Sequence, residues 1–164
     1  MPEPNEAAAV HAGAGKDALA GIKVLDFGQM VSAPYCAKLF SDFGADVIKV
    51  EPPEGESSRR WGTARFGAAG DTSGLFLALN RNKAAITLDL KSPEGAAAVD
   101  ALVREADVVM ESFKPGVADR LGIGYEQLRA IKPDLVYVSV SGFGQNGPLR
   151  EAPGYDQLLQ AFSG

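Results

Sequence analysis

Lys23-Val-Leu-Asp-Phe-Gly-Gln-Met-Val-Ser-Ala-Pro-Tyr-Cys-Ala-Lys-Leu-Phe-Ser-Asp-Phe-Gly-Ala-Asp-Val-Ile-Lys-Val-Glu-Pro-Pro53 reads as strand, loop, helix and strand. The first strand, Ile22 to Phe27, is short and apolar. The loop Gly28 to Ala33 is small and mostly uncharged. Pro34 suits the first turn of a helix, where a missing N–H loses no partner. Gly44 is a natural left-handed stop. Asp46 to Val50 is the second strand. A helix between two strands over this length makes a βαβ unit, and its right-handed crossover leaves the strands parallel. The loop after the first strand then lies at the carboxyl edge of the sheet, where open α/β folds take their ligands.

The same alternation continues downstream. Residues 52–72 are rich in Pro, Gly and charge and read as a long loop anchored by Trp61 and Phe66. Loops of that length are usually functional or mobile. Ser73 to Asn80 reads as a short helix, and Arg81-Asn-Lys83 as a polar, cationic turn. Ala85 to Leu90 alternates as a third strand. Ser92 can cap the next helix, with Pro93 at its first position and Glu94 at its positive end. That helix runs to about Glu105, with Val99, Leu102, Val103 and Ala106 inward. Asp107 to Met110 is the fourth strand. Val117 to Leu121 and Tyr125 to Ile131 are helical, the second stopped by Pro133. The β-branched run Leu135 to Ser141 reads as a buried parallel strand. A glycine-rich loop, Gly142 to Pro148, follows it. In the helix Tyr155 to Phe162, Leu158, Leu159 and Phe162 face in and Asp156 faces out. In the helix 34–43, Cys36, Leu39, Phe40 and Phe43 share a face assigned to the sheet. Residues 1–17 lack periodicity and read as a disordered leader. The fold class is α/β, a Rossmann-like, mostly parallel sheet with helices on both faces.

Bulk properties narrow the function. The chain has 164 residues, a net charge of −5 and a 46% hydrophobic fraction. A chain of about 150 residues buries roughly two-thirds of its unfolded surface, enough for one core. The acidic balance argues against a nucleic-acid surface, which needs a basic face. A phosphate-bearing small molecule stays open, because a few local cations and helix N-termini suffice for it. One cysteine, Cys36, and one histidine, His11, make a zinc site unexpected. Cys36 reads as a small buried hydrophobe, with no base close in sequence to activate it. No apolar run reaches the roughly 20 residues of a membrane span, and no secretory h-region is seen. A cytoplasmic protein with no membrane contact is expected.

Three loops share the carboxyl edge: Gly28–Ala33, Glu111–Gly116 and Ser141–Gly147. With their backbone N–H groups and small side chains they outline a cleft for a nucleotide-bearing ligand. The alternative is that the small residues only serve tight turns. No Gly-x-Gly-x-x-Gly and no P-loop follows the first strand, so a dinucleotide site is poorly supported. The nearby cations are Arg81, Lys83, Lys91, Lys114 and Arg120, each by default a solvated surface residue. Lys91 and Arg120, beside strand ends, are the better phosphate candidates. Residue types alone assign no reaction.

Seven blocks, in order, carry a resemblance. They are Gly21–Phe27, Phe43–Pro53, Asn80–Gly95, Ala106–Gly116, Leu121–Tyr125, Ser139–Gly144 and Gly154–Gly164. The chain resembles the class III (CaiB/BaiF-type) CoA-transferases over about residues 20–164. This family includes formyl-CoA transferase, carnitine CoA-transferase and α-methylacyl-CoA racemase. The resemblance implies transfer of CoA from an acyl-CoA to a small carboxylic acid. An aspartate carboxylate attacks the thioester and passes through an anhydride to an aspartyl-CoA thioester. CoA or acyl-CoA is then a substrate, and no cofactor is held permanently. Carried over by position, Met30, Val31 and Ser32 would touch CoA. Leu88, Asp89, Leu90 and Lys91 would join them at the end of the third strand, as would Ser112 and Phe113 after the fourth. Arg120 would hold a CoA phosphate, with Val117 and Leu121 beside it.

Relatives often have Asn where Ser112 stands, and formyl-CoA transferase has Gln at Val31 and Arg at Pro52. The family's nucleophilic aspartate lies beyond Gly164, so the expectation is an N-terminal part of the CoA-binding domain, residues 18–164, without its catalytic group. Full-length relatives form interlocked homodimers. A non-catalytic CoA- or nucleotide-binding module, or an inactive fragment, is the alternative of a different class. Racemases of the family have a His where Tyr155 stands, and a phenol is a poor proton acceptor near neutrality. Transferase is therefore preferred to racemase.

Overall fold

The computed structural model describes residues 17–67 and 70–164. The leader expected over residues 1–17 lies outside the described residues, except for Asp17. The strands β1 (Lys23–Asp26) and β2 (Asp46–Glu51) flank helix α1 (Ser32–Asp42). A 3-10 turn (Ser57–Arg60), β3 (Arg65–Phe66), β4 (Thr72–Ser73) and α2 (Gly74–Asn80) then lead to β5 (Ala84–Thr87). Next come α3 (Pro93–Glu105), β6 (Val108–Glu111), α4 (Val117–Arg120), α5 (Tyr125–Ile131), β7 (Val136–Ser139) and α6 (Asp156–Ser163).

Five strands pair in the order β5-β2-β1-β6-β7, all parallel. The chain builds outward from β1 to β2 and β5, then returns to the other side of β1 for β6 and β7. The strand order reverses between β1 and β6, and that is where an open α/β sheet leaves a crevice at its carboxyl ends. The two-residue strands β3 and β4, paired antiparallel, were not foreseen from the sequence.

The period-2 alternation of a strand sorts the core into two layers. Val24, Val47, Val108 and Met110 point to one face and pack on Ala37 of α1. Leu25, Val50 and Val109 point to the other, against Val99 and Val103 of α3 and Leu128 of α5. Ser92 caps α3 as expected, its Oγ accepting from the Gly95 amide at 3.0 Å. Gly95 is required there: a Cβ would come 1.9 Å from the Asp89 carbonyl oxygen.

Four expectations need correction. Helix α1 buries Ala33, Pro34, Ala37 and Ser41, while Leu39 and Phe43 are exposed and Cys36 and Phe40 are only half-buried. Two stripes of helical period lie side by side here, and the small-residue stripe lets the helix sit close on the sheet. The run read as a buried strand is the edge strand β7, paired only with β6, with Val136 exposed. Its apolar composition fits an edge as well as a centre until a neighbour is placed. Leu158 and Phe162 of α6 are exposed, and no residue of that helix is buried. Among the described residues nothing covers that face, apart from Phe143, whose ring meets Phe162 edge-on at 5.5 Å.

Finally, Trp61 and Phe66 are exposed and do not anchor the long loop. Polar groups do. Arg59 grips Glu51 through two nitrogens, both at 2.6 Å, and stacks 3.8 Å from the centre of the Phe76 ring. The Ser73 hydroxyl donates to the Ser58 carbonyl at 2.6 Å. Burial is the largest influence on Glu51 and pushes its carboxyl up. Arg59, the Glu56 amide and Lys49 outweigh it and leave the carboxyl below its ordinary range.

Candidate ligand-binding cleft

The loop after β1 is fixed by side chains. The Gly28 amide donates to Asp26 Oδ1 at 2.8 Å, the Gln29 amide to Ser112 Oγ at 2.8 Å, and the Met30 amide to Glu56 Oε1 at 2.7 Å. Lys49 Nζ donates to the Gly28 carbonyl at 2.7 Å, and Ser112 Oγ to the Gln29 carbonyl at 3.2 Å. Gly28 has no room for a side chain, because a Cβ would sit 2.6 Å from that of Ala33. The loop was expected to offer free backbone N–H groups to a ligand. Its first three amides are instead taken internally. Ser112, expected as a ligand contact, joins the two loops that flank the crevice.

Beneath this loop lie four buried charges. The Asp26 carboxylate receives Lys83 Nζ at 2.8 Å and has Lys49 Nζ at 3.8 Å. Lys49 Nζ is 3.0 Å from Glu56 Oε2, close enough for an ion pair but not aligned as a hydrogen bond. Lys83 also donates to the Pro34 carbonyl at 2.8 Å and to Asn80 Oδ1 at 2.9 Å. Two cations and two carboxylates therefore balance, which a buried cluster needs if desolvation is not to break it. Burial pulls the Lys83 ammonium below its ordinary value, against the opposing pull of Asp26. The sequence placed Lys83 in a solvated turn. Its stem instead reaches inward, and its side chain is 1% exposed.

Beside this cluster, at the ends of β2, β5 and β6, is a cavity of about 310 Å³. Leu88, Asp89, Leu90, Lys91, Phe113 and Leu121 line it, so six of the twelve expected contacts converge from three separate segments. Met30, Val31, Ser32, Ser112, Val117 and Arg120 are not among its lining residues. Others were not anticipated: Phe27, Val50, Pro52, Pro53 and the acidic Glu51, Glu54 and Glu56. Pro52-Pro53 after β2 was the one available signal, because it turns the chain away at a strand's carboxyl end.

The five candidate cations separate into two groups. Arg81 is bound to Asp42, and Lys83 to Asp26. Lys91, Lys114 and Arg120 take part in none of the ion pairs found among the described residues. Lys91 and Arg120 are thus free to meet an anion.

At the end of β6, Glu111 is buried and accepts from the Phe113 amide at 2.7 Å. Burial pushes its carboxyl above the ordinary value, as it does the Tyr137 hydroxyl. Ser141 Oγ is buried without a hydrogen-bond partner. Burial likewise raises the Cys36 thiol, in keeping with an inert side chain. Among the described residues no group of His, Cys, Asp and Glu is placed to hold a metal ion, and no helix is long and apolar enough to cross a membrane.

Parallel strands in this order, with a cavity at their carboxyl ends, define a Rossmann-like α/β domain. The chain belongs to CoA-transferase family III, whose model matches residues 19–164. It is 44% identical to the succinyl-CoA–D-citramalate CoA-transferase of Chloroflexus aurantiacus over 144 residues, 87% of this chain and 35% of that protein. It is also 44% identical to the succinate–glutarate CoA-transferase of Agrobacterium fabrum, over 91% of this chain and 38% of that protein. A crystal structure of a CAIB/BAIF family protein from Brucella suis superposes with a TM-score of 0.86 at 43% identity, covering 90% of this chain and 39% of that one. The chain thus spans little more than a third of the length of these relatives.

Proposed function

We propose that this chain is the N-terminal part of the CoA-binding domain of a CoA-transferase, and that its cleft takes the CoA portion of an acyl-CoA. One observation carries the reading. Leu88, Lys91, Phe113 and Leu121, named as CoA contacts by resemblance alone, line one cavity at the carboxyl edge of the sheet. Apolar walls with Lys91 among the lining residues suit a ligand with a flat base and phosphates. Lys91, in that wall, and Arg120, next in sequence to the lining Leu121, both outside the ion pairs of the described residues, would meet the phosphates. The loops at Met30–Ser32 and Ser112 would shape the entrance.

In the complete enzyme the acceptor is a carboxylic acid. An aspartate carboxylate from a segment beyond Gly164 would attack the thioester carbonyl, and CoA thiolate would leave. This reading gives Asp156, an exposed acid in the first turn of α6, no part in that attack. Calorimetric titration of CoA into wild-type, Lys91→Ala and Arg120→Ala chains tests the reading. Each variant is expected to bind about tenfold more weakly, the loss of one charged hydrogen bond. Equal affinity in all three would remove the two cations from the site.

A further inference from the structure

We propose that Glu56 is a positioning residue for the cleft: its buried carboxylate, held by Lys49, fixes the Met30 amide and with it the left-handed turn that shapes the β1–α1 loop. This rests on the reading of that cleft as a CoA site. Met30 has φ +65°, and only Asn82 shares a positive φ among the described non-glycine residues. That conformation is disfavoured for an unbranched apolar residue with no side-chain hydrogen bond to offset it. The surroundings must hold it.

They do so from two sides. Glu56 Oε1 accepts the Met30 amide at 2.7 Å and the Ser58 hydroxyl at 2.7 Å. Glu56 Oε2 is 3.0 Å from Lys49 Nζ, which itself donates to the Gly28 carbonyl at 2.7 Å. One buried ion pair thus grips the loop before and after Gln29. Glu56 and Lys49 are 2% and 1% exposed. Burying a carboxylate for filling alone would be wasteful, since an apolar residue fills at lower desolvation cost. A charged acceptor for a strained amide is a use that an apolar residue cannot meet, and charge-assisted hydrogen bonds are the stronger kind. Glu56 also forms part of the cavity wall, so loop shape and site shape change together.

Amide exchange by NMR on the 164-residue chain reads this hold without any ligand. In Glu56→Gln, exchange at Met30 is expected to quicken about tenfold, while α3 keeps its protection. Unchanged exchange at Met30 overturns the proposal. Titration with CoA is the second readout. Affinity is expected to fall about tenfold in Glu56→Gln. Adding Met30→Gly, a residue that takes the left-handed region freely, should restore it to within about threefold of Met30→Gly alone. A loss that persists in the double variant overturns the positioning role, because a carboxylate needed only for stability would behave that way. Should the wild-type chain bind no CoA, the reading of the cleft falls and the exchange at Met30 alone decides this proposal. Should Glu56→Gln fail to fold, Met30→Val opposes the hold without touching the buried charges, since β-branched residues resist positive φ. Lost protection at position 30 supports the proposal, and full protection overturns it.

Discussion

The two flanks of the β1–β6 crevice are built on opposite principles. On the β2 side, the loop after β1 and the turn after β2 are tied down by Asp26, Lys49, Glu56 and Ser112, through side-chain bonds that span up to 83 residues of sequence. On the β7 side, the edge strand, the glycine-rich loop and α6 bury little. Phe162 is 69% exposed, and Ser141 Oγ lacks a partner. Preorganisation, which lowers the cost of binding, is therefore concentrated on one flank. The difference also locates stability: the β2 flank shares in the core, and the far end of the chain does not.

Mutations should follow this asymmetry in a fixed order. Lys49→Met leaves Glu56 buried without its cation and should destabilise by about 3–5 kcal/mol in chemical denaturation. Leu128→Ala, on the core-facing side of α5, should cost about 2–5 kcal/mol, and a loss no larger than that of a surface change would contradict the two-layer core. Glu111→Gln should have the opposite sign. Burial raises the Glu111 carboxyl in the folded state, so its contribution is favourable below the ordinary carboxylate range and is lost as pH rises through the raised value. The neutral variant should melt higher than wild type near pH 7 and match it in acid. Equal melting across that range would sink the assignment.

Smaller effects are expected at the surface. Asp42 is held down to about 2 by Arg81 and then Lys38. Its contribution is present above the ordinary value of 3.8 and lost as pH falls through about 2. Arg81 is exposed and Asp42 half-buried, so solvent screens the pair and Asp42→Asn should cost under about 1 kcal/mol near neutrality and nothing in strong acid. Phe162→Ser, on the flank without burial, should change stability by no more than about 0.5 kcal/mol. A loss as large as that of Leu128→Ala would mean α6 packs more tightly than its exposure indicates.

What was legible in the sequence was local and periodic. β1, the capped helix α3 and the five alternations of strand and helix follow from apolar spacing and turn residues. Of the expected cavity-lining positions, Lys91 stood out by its place beside a strand end, and Leu88 and Leu121 became legible only through the family resemblance. The inner face of α1 was misread because two helical stripes compete, and burial chose Ala33 and Ala37 over Leu39 and Phe43. Lys83 and Glu56 were illegible for a different reason. Their partners, Asp26 and Met30, lie 57 and 26 residues away, and no local signal marks a charge that turns inward. The same blindness made the β1–α1 loop look like a cradle of free amides.

The central claim is that the cavity at the carboxyl edge receives CoA. Titration calorimetry of CoA into this chain and into Leu88→Arg, which places a bulky cation in the cavity wall, tests it most directly. The account predicts saturable one-to-one binding by the wild-type chain and its loss in the variant, with both showing a cooperative thermal transition. Folded wild-type protein that binds no CoA, or equal binding by both chains, would contradict it.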